Sequence, residues 1–164
     1  MVDKDKILKT FKEYFAYDGE VLIDDDGLVS LTKNCWSNKK HPPNGRLPIH
    51  FDKVDGFFQC HSNNLITLEG SPPSMNNHHF YCFGNPLINL NGLPENIDIL
   101  WISYSPNLPI LKAVLNSKYI KWYPNVPKIV DELTRTYCGQ GKAKMAKCAI
   151  ELVKAGYARN ARLW

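Results

Sequence analysis

Residues 58–72 read FQCHSNNLITLEGSP, and residues 80–94 read FYCFGNPLINLNGLP. The second stretch repeats the first 22 residues later, with Phe, Cys, Asn, two Leu, Gly and Pro recurring in step. A period of about 20 to 29 residues with this pattern is typical of leucine-rich-repeat architecture. Stacked units of this kind form solenoids, which usually act by presenting a surface. The pattern therefore predicts a binding protein.

Strand alternation sorts the repeat positions into two faces. A third unit is expected at residues 100–107, where Ile102, Tyr104 and Asn107 stand 22 residues beyond their counterparts in the second unit. The predicted inward ladders are Phe58/Phe80/Ile102, Cys60/Cys82/Tyr104, Leu65/Leu87 and Leu68/Leu90.

The outward face of the same strands is predicted to be rich in aromatic side chains. Its expected rows are Phe57/His79/Trp101, Gln59/Tyr81/Ser103 and His61/Phe83/Ser105. Exposed aromatic patches commonly mark partner or ligand sites. The predicted partner-binding residues are Phe57, His61, His79, Tyr81, Phe83 and Trp101. The alternative is that the N-terminal helix, the C-terminal helices or a second copy of the chain covers this patch.

Asn63, Asn85 and Asn107 form a column that is predicted to be structural. In such repeats an Asn at the strand exit hydrogen-bonds backbone groups that the tight turn buries.

A zinc site is the chemical alternative for the Cys and His residues of the repeat. The residues of a suitable type are Cys60, His61, His78, His79 and Cys82. Cys60 and Cys82 occupy inward positions, where cysteine behaves as a small apolar residue, and the flanking histidines alternate to the other face. We therefore predict no metal and no cofactor.

The segments around the repeat predict capping helices. An amphipathic helix is expected at residues 3–16, a hairpin or the first coil strands at 21–31 and a loop at 34–46. A last strand is expected at 119–123, and two helices at 127–137 and 142–155 are separated by Gly139-Gln140-Gly141. Ile129 and Val153 are assigned to the buried apolar stripes of these two helices. The predicted fold is an α/β repeat. It is a short leucine-rich-repeat-like β-solenoid at residues 1–124, with an N-terminal capping helix. A basic helical hairpin at residues 125–164 packs on it as one unit.

The positive charge is concentrated in the C-terminal segment. Residues 125–164 contain eight Lys or Arg against three acids, within a net charge of +4 for the chain. This allows nucleic-acid binding as an alternative function, through Lys142, Lys144, Lys147, Arg159 and Arg162. A solvated face with ion pairs to Glu151 is the plainer interpretation, because a pI near 8.7 is below the usual signal above about 9.

Catalysis, secretion and membrane insertion have no support in the sequence. No Ser/His/Asp or Cys/His grouping has a catalytic spacing, and the Gly139–Lys142 segment does not match a phosphate-binding loop. The start lacks the apolar region of a signal peptide, and no run of about 18 apolar residues exists. The five cysteines are expected to be reduced thiols, as in a cytoplasmic protein. We predict no catalytic residue.

Several segments together resemble a known family. They are DGLV (26–29), LPIHFDKVDGFFQC (47–60), SNNLITLEGSP (62–72), LWISYSPNLPIL (100–111) and the basic tail at 139–162. Over most of residues 17–164 the chain resembles the short leucine-rich-repeat-like proteins encoded by tailed bacteriophages. Residues 35–46 depart from that family, because they replace a shorter connection that contains Leu.

The resemblance implies a phage accessory protein in the cytoplasm of an infected bacterium, and it supplies no catalytic residue. Combined with the aromatic face, it predicts a non-enzymatic module that binds and modulates a host or phage protein, including a host defence protein. Nucleic-acid binding by the basic helices is the alternative hypothesis, and enzymatic activity is the third hypothesis.

Overall fold

The computed structural model describes residues 2–38, 40–76 and 78–164. The strands are β1 (Phe15–Tyr17), β2 (Val21–Ile23), β3 (Val29–Leu31), β4 (Cys35–Ser37), β5 (Phe51–Val54), β6 (Phe58–Gln59), β7 (Ser74–Met75), β8 (His79–Tyr81), β9 (Ile97–Ser103) and β10 (Ser117–Tyr123). The α-helices are α1 (Lys4–Tyr14), α2 (Leu111–Asn116), α3 (Lys128–Tyr137) and α4 (Lys142–Lys154), and Pro43–Gly45 is a short 3-10 turn.

The chain winds into a β-solenoid of about five turns with helices at both ends. A large sheet has the strand order β1-β4-β6-β8-β9-β10, and a small sheet has the order β2-β3-β5-β7. Successive coils pair in parallel, for example Phe58 with Phe80 in the large sheet. The predicted solenoid with helices at its ends is therefore confirmed.

The core lies between the two sheets and contains the repeated apolar positions. Phe58, Phe80, Cys60 and Cys82 are fully buried, and Phe58 and Phe80 stack with ring centroids 5.6 Å apart. The turn residues Leu65, Leu68, Leu87 and Leu90 are at most 5% exposed. These ladders of the first two units are as predicted, because each side chain packs on its counterpart in the next coil.

The N-terminal end also follows the prediction. Asp3 caps α1 by accepting a hydrogen bond from the Lys6 N–H, and Phe11 of this helix is buried on the core. β2 and β3 form the expected hairpin, in which Val21 pairs with Leu31.

The predicted loop at residues 34–46 is wrong in one part. Its residues Cys35–Ser37 form β4, which enters the large sheet between β1 and β6. Cys35 points into the core and Trp36 points outward. Three residues are too few to show strand alternation in the sequence. Lys39, within the same predicted loop, lies outside the described residues.

The register of the third unit differs from the prediction by two residues. Phe80 pairs with Leu100 rather than with Ile102, and Tyr81 pairs with Trp101. The step from the second unit to the third is thus 20 residues along the strand. Side chains alternate with a period of two, so this even slip leaves the inward and outward assignments unchanged.

The C-terminal end contains the predicted strand and both predicted helices. Tyr137 Oη donates to Glu151 Oε1 at 2.7 Å between α3 and α4, and Trp122 Nε1 donates to Thr134 Oγ1 at 2.9 Å between β10 and α3.

Two details of this end differ from the prediction. The helix α2 was not expected, and Ile129 and Val153, which were assigned to the buried stripes, are 39% and 53% exposed.

Candidate functional site

The outward side chains of the large sheet lie in rows set by the strand register. The central row runs Trp36, Gln59, Tyr81, Trp101 and Lys121 across five strands. The neighbouring row on one side contains His79, Ile99 and Tyr119, and Ser103 pairs with Tyr123 on the other. We name the aromatic strand face as the side chains of Trp36, Phe57, His61, His79, Tyr81, Phe83, Trp101 and Tyr123.

The rings of this face touch in an unbroken chain from β4 to β10. Centroid distances are 6.2 Å for Trp36–Phe57, 6.1 Å for Phe57–Tyr81, 5.5 Å for Tyr81–Trp101, 6.0 Å for Trp101–Phe83 and 5.4 Å for Phe83–Tyr123. His61 stacks on Phe83 at 4.5 Å with nearly parallel rings, and His79 lies 6.3 Å from Tyr81. The structure thus brings together all six side chains that the sequence predicted to be partner-binding.

Trp36 and Tyr123 belong to the same face but were not predicted. Trp36 lies in the segment predicted to be a loop, and Tyr123 lies in a predicted strand for which the sequence predicts no face. Trp101 was expected beside Phe57 and His79, whereas the slip in register puts it beside Tyr81. The Gln59/Tyr81/Ser103 and His61/Phe83/Ser105 rows are shifted at their third members for the same reason.

The rings of the face are shielded by one another. Each of the six predicted residues is half-buried, and so is Trp36, whereas Tyr123 is 53% exposed. The side chains that pack against the core come from other positions, such as Tyr104 and Tyr137. The face is therefore an aromatic layer on the outside of the sheet.

The charge on this face is positive. Lys121 Nζ lies 4.0 Å from the centroid of the Trp101 ring, in a cation–π contact. Arg135 lies 5.6 Å from the ring of Tyr119, and its Nε is paired with Asp131 Oδ1 at 2.9 Å within α3. Among the described strand residues, the outward rows contain no Asp or Glu.

Two members of the Asn column bind backbone groups as predicted. Asn85 Oδ1 accepts the N–H groups of Asn63 and Leu65 at 2.9 and 3.0 Å. Its Nδ2 donates to the carbonyls of Cys60 and Cys82, both at 2.9 Å. Asn63 Nδ2 donates to the His61 carbonyl at 3.0 Å.

The prediction is wrong for Asn107, the third member of the column. Asn107 is exposed, and its Oδ1 accepts from Arg159 Nη1 at 2.6 Å. Asn160 replaces it, donating through Nδ2 to the carbonyls of Ser105 and Leu108 at 3.0 and 2.8 Å. Tyr104 Oη donates to Asn160 Oδ1 at 3.1 Å. The third turn therefore does contain backbone carbonyls that require a side-chain donor, as the repeat predicts. The donor is Asn160, which lies more than 50 residues further along the chain.

The five predicted basic residues divide into two groups. Lys142, Lys144 and Lys147 are exposed on α4, and in the described part of the chain none of them forms an ion pair. Glu151, their expected partner, accepts instead from Tyr137. Arg159 and Arg162 both bind Asn107, at the end of the solenoid.

All five cysteines are buried and free. Burial raises the pKa of Cys60 well above its ordinary range and raises the pKa of Cys148 to about 12. Cys60 and Cys82 face the core, and His78 Nδ1 is hydrogen-bonded to the Asn96 carbonyl. Across residues 2–38, 40–76 and 78–164, no group of three or more His, Cys, Asp or Glu is arranged to hold a metal ion.

The buried thiols predict a loss of stability at alkaline pH. Burial raises the pKa values of Cys35, Cys60 and Cys82, so the unfolded chain releases thiol protons above the ordinary pKa of 9.0 while the folded chain retains them. The free energy of unfolding should therefore fall above pH 9, by about 1.4 kcal/mol per pH unit for each such thiol. Urea unfolding at pH 8, 9 and 10 measures this. Cys60→Ala should reduce the slope by one thiol's share, and an unchanged slope would contradict the assignment.

The described residues include no helix that is both long and apolar enough to cross a membrane.

Comparison of the chain with protein-family models, with curated proteins and with solved structures found no match.

Proposed function

We propose that this protein is a non-enzymatic binding module that holds another protein on the aromatic strand face. The observation that carries the proposal is the chain of touching rings across β4, β6, β8, β9 and β10, on the side of the sheet away from the core. Aromatic side chains are enriched at binding hot spots, because each offers a large contact area with few rotatable bonds.

The charge of the face favours a partner segment that contains acidic residues beside apolar ones. Lys121 lies over Trp101, and Arg135 lies over Tyr119. Arg135 is already paired with Asp131, whereas Lys121 has no carboxylate partner among the described residues. An acidic side chain next to Trp101 would gain an ion pair with Lys121, while an apolar neighbour would cover the Tyr81 and Phe83 rings.

We also propose that the coils are of the leucine-rich-repeat-like type and that the partner is a host or phage protein. The 22-residue period, the Leu65/Leu87 and Leu68/Leu90 ladders and the turn-binding Asn85 support the repeat type. The phage setting, in the cytoplasm of an infected bacterium, rests on the sequence resemblance alone.

The direct test is the double variant Tyr81→Ala, Trp101→Ala in a pull-down from infected-cell lysate. A partner captured by the wild type should be lost, and its affinity in a purified complex should fall at least about 100-fold, as expected for two aromatic hot spots. The two rings lie outside the core, so the circular dichroism spectrum of the variant should match that of the wild type.

The matched control is the triple variant Lys142→Ala, Lys144→Ala, Lys147→Ala. These exposed α4 residues should leave protein capture unchanged. They are also the observation that favours nucleic-acid binding as a second candidate. Loss of a salt-sensitive nucleic-acid complex in the triple variant, with full binding by the aromatic variant, would contradict our proposal and support the second candidate.

A further inference from the structure

The Asn85 carboxamide binds two backbone N–H groups of the coil before it, and the pattern stops one coil later. Asn63 and Leu65 donate to Asn85 Oδ1 at 2.9 and 3.0 Å. The equivalent donors 22 residues on are the N–H groups of Asn85 and Leu87. Within residues 2–38, 40–76 and 78–164, neither of these has a hydrogen-bond acceptor.

The slip in register explains this difference. Asn107 stands 22 residues after Asn85, but the strands that precede these two turns are paired at a step of 20 residues, Tyr81 with Trp101. The third turn therefore falls out of step by two residues. Asn107 is displaced to the surface, where it binds Arg159 instead of the preceding coil.

A cleft of about 260 Å³ lies at this place between the second and third turns. We call it the turn cleft, and its lining includes Asn85, Leu87, Ile88, Ser105, Asn107 and Leu108. Asn85 and Leu87 both line this cleft, and their N–H groups have no acceptor among the described residues.

The chemistry of the turn cleft suits an anion with a short apolar group. Leu87 and Leu108 supply apolar walls. Asn107, which also lines the cleft, accepts from Arg159 Nη1 through its side-chain oxygen and from Arg162 Nη2 through its backbone oxygen, at 2.6 and 3.1 Å. No Asp or Glu is among the described residues that line the cleft.

We propose that the turn cleft binds a carboxylate. One oxygen accepts from the N–H groups of Asn85 and Leu87, as the Asn85 carboxamide oxygen accepts from Asn63 and Leu65. Hydrogen bonds to an ionised acceptor are stronger than those to a neutral one, and the guanidinium groups bound to Asn107 favour a charged ligand over a carboxamide. This inference concerns a different surface from the aromatic strand face and does not depend on the proposed function.

The test is a titration of the full chain with sodium acetate, followed by ¹H–¹⁵N NMR. The amide resonances of Asn85 and Leu87 should move downfield and saturate, and those of Asn63 and Leu65 should stay in place because their acceptor is internal. Sodium chloride at the same ionic strength should move neither pair. Equal movement of both pairs, or none at Asn85 and Leu87, would overturn the proposal.

Ile88 provides a matched pair of variants, because its side chain is 65% exposed at the edge of the cleft and its replacement should leave the fold intact. Ile88→Glu should weaken acetate binding at least about tenfold by repulsion and competition, and Ile88→Lys should retain it. Equal affinity in both variants would place acetate elsewhere.

N-acetyl-aspartate N-methylamide distinguishes the sources of the carboxylate. Its binding assigns an acidic side chain of a peptide, and binding of acetate alone assigns a small free acid.

Discussion

Asn85→Ala should lower the free energy of unfolding by about 3 to 5 kcal/mol, whereas Asn107→Ala should lower it by less than about 1 kcal/mol. Asn85 is 3% exposed and joins four backbone groups from two coils. Each buried group that loses its partner costs about 1 to 3 kcal/mol. Water from the adjoining cleft should offset part of that sum, so the expected value stays below the full total.

Urea unfolding of the two variants beside the wild type measures this difference. Asn107 is the matched control, because it occupies the same column of the sequence repeat but lies at the surface with one side-chain bond to Arg159. Asn160→Ala should resemble Asn85→Ala, since Asn160 is 1% exposed and binds Ser105 and Leu108. Equal losses at Asn85 and Asn107 would contradict the described turns.

Gly92→Ala is the second change for which we expect a large effect, a loss of about 3 kcal/mol or more. Gly92 has a φ of +81°, and a Cβ atom there would stand 2.1 Å from the backbone oxygen of Leu68 in the preceding coil. The left-handed conformation costs about 1 to 2 kcal/mol for alanine, and the clash with backbone adds an overpacking cost of about 1 to 3 kcal/mol.

Gly141 separates these two contributions. It has the same φ of +81°, and an added Cβ would have no described atom within 4 Å. Gly141→Ala should therefore cost only the conformational part, about 1 to 3 kcal/mol, because its ψ of 178° places it in a region that essentially only glycine adopts. If calorimetry or urea unfolding gives the same loss for both variants, the close stacking of the coils at Gly92 is wrong.

The repeat made the core and the face predictable from the sequence. Phe58 with Phe80 and Cys60 with Cys82 recur at one spacing, and stacking requires that equivalent side chains meet. The outward assignment of Trp101 survived an error in register because the slip was by two residues, and a slip of one would have reversed it.

The elements and contacts that the sequence did not predict were unpredictable for physical reasons. Cys35–Ser37 is too short to show alternation and lies beside Pro-rich sequence, so β4 and the position of Trp36 were hidden. α2 has only six residues and runs directly into β10, so it offers less than two turns of helical periodicity. Asn160 reaches the third turn from more than 50 residues away, a contact that no local pattern can indicate.

In the proposed complex, a protein partner covers the aromatic strand face. Hydroxyl-radical footprinting of the chain alone and in complex with the protein it captures tests this most directly. Trp164, which is 85% exposed at the far C-terminal end, serves as the internal control. We predict that Tyr81, Trp101 and Tyr123 become protected from oxidation in the complex while Trp164 reacts as before. Unchanged oxidation of Tyr81 and Trp101, with protection confined to α4 and Trp164, would contradict the account.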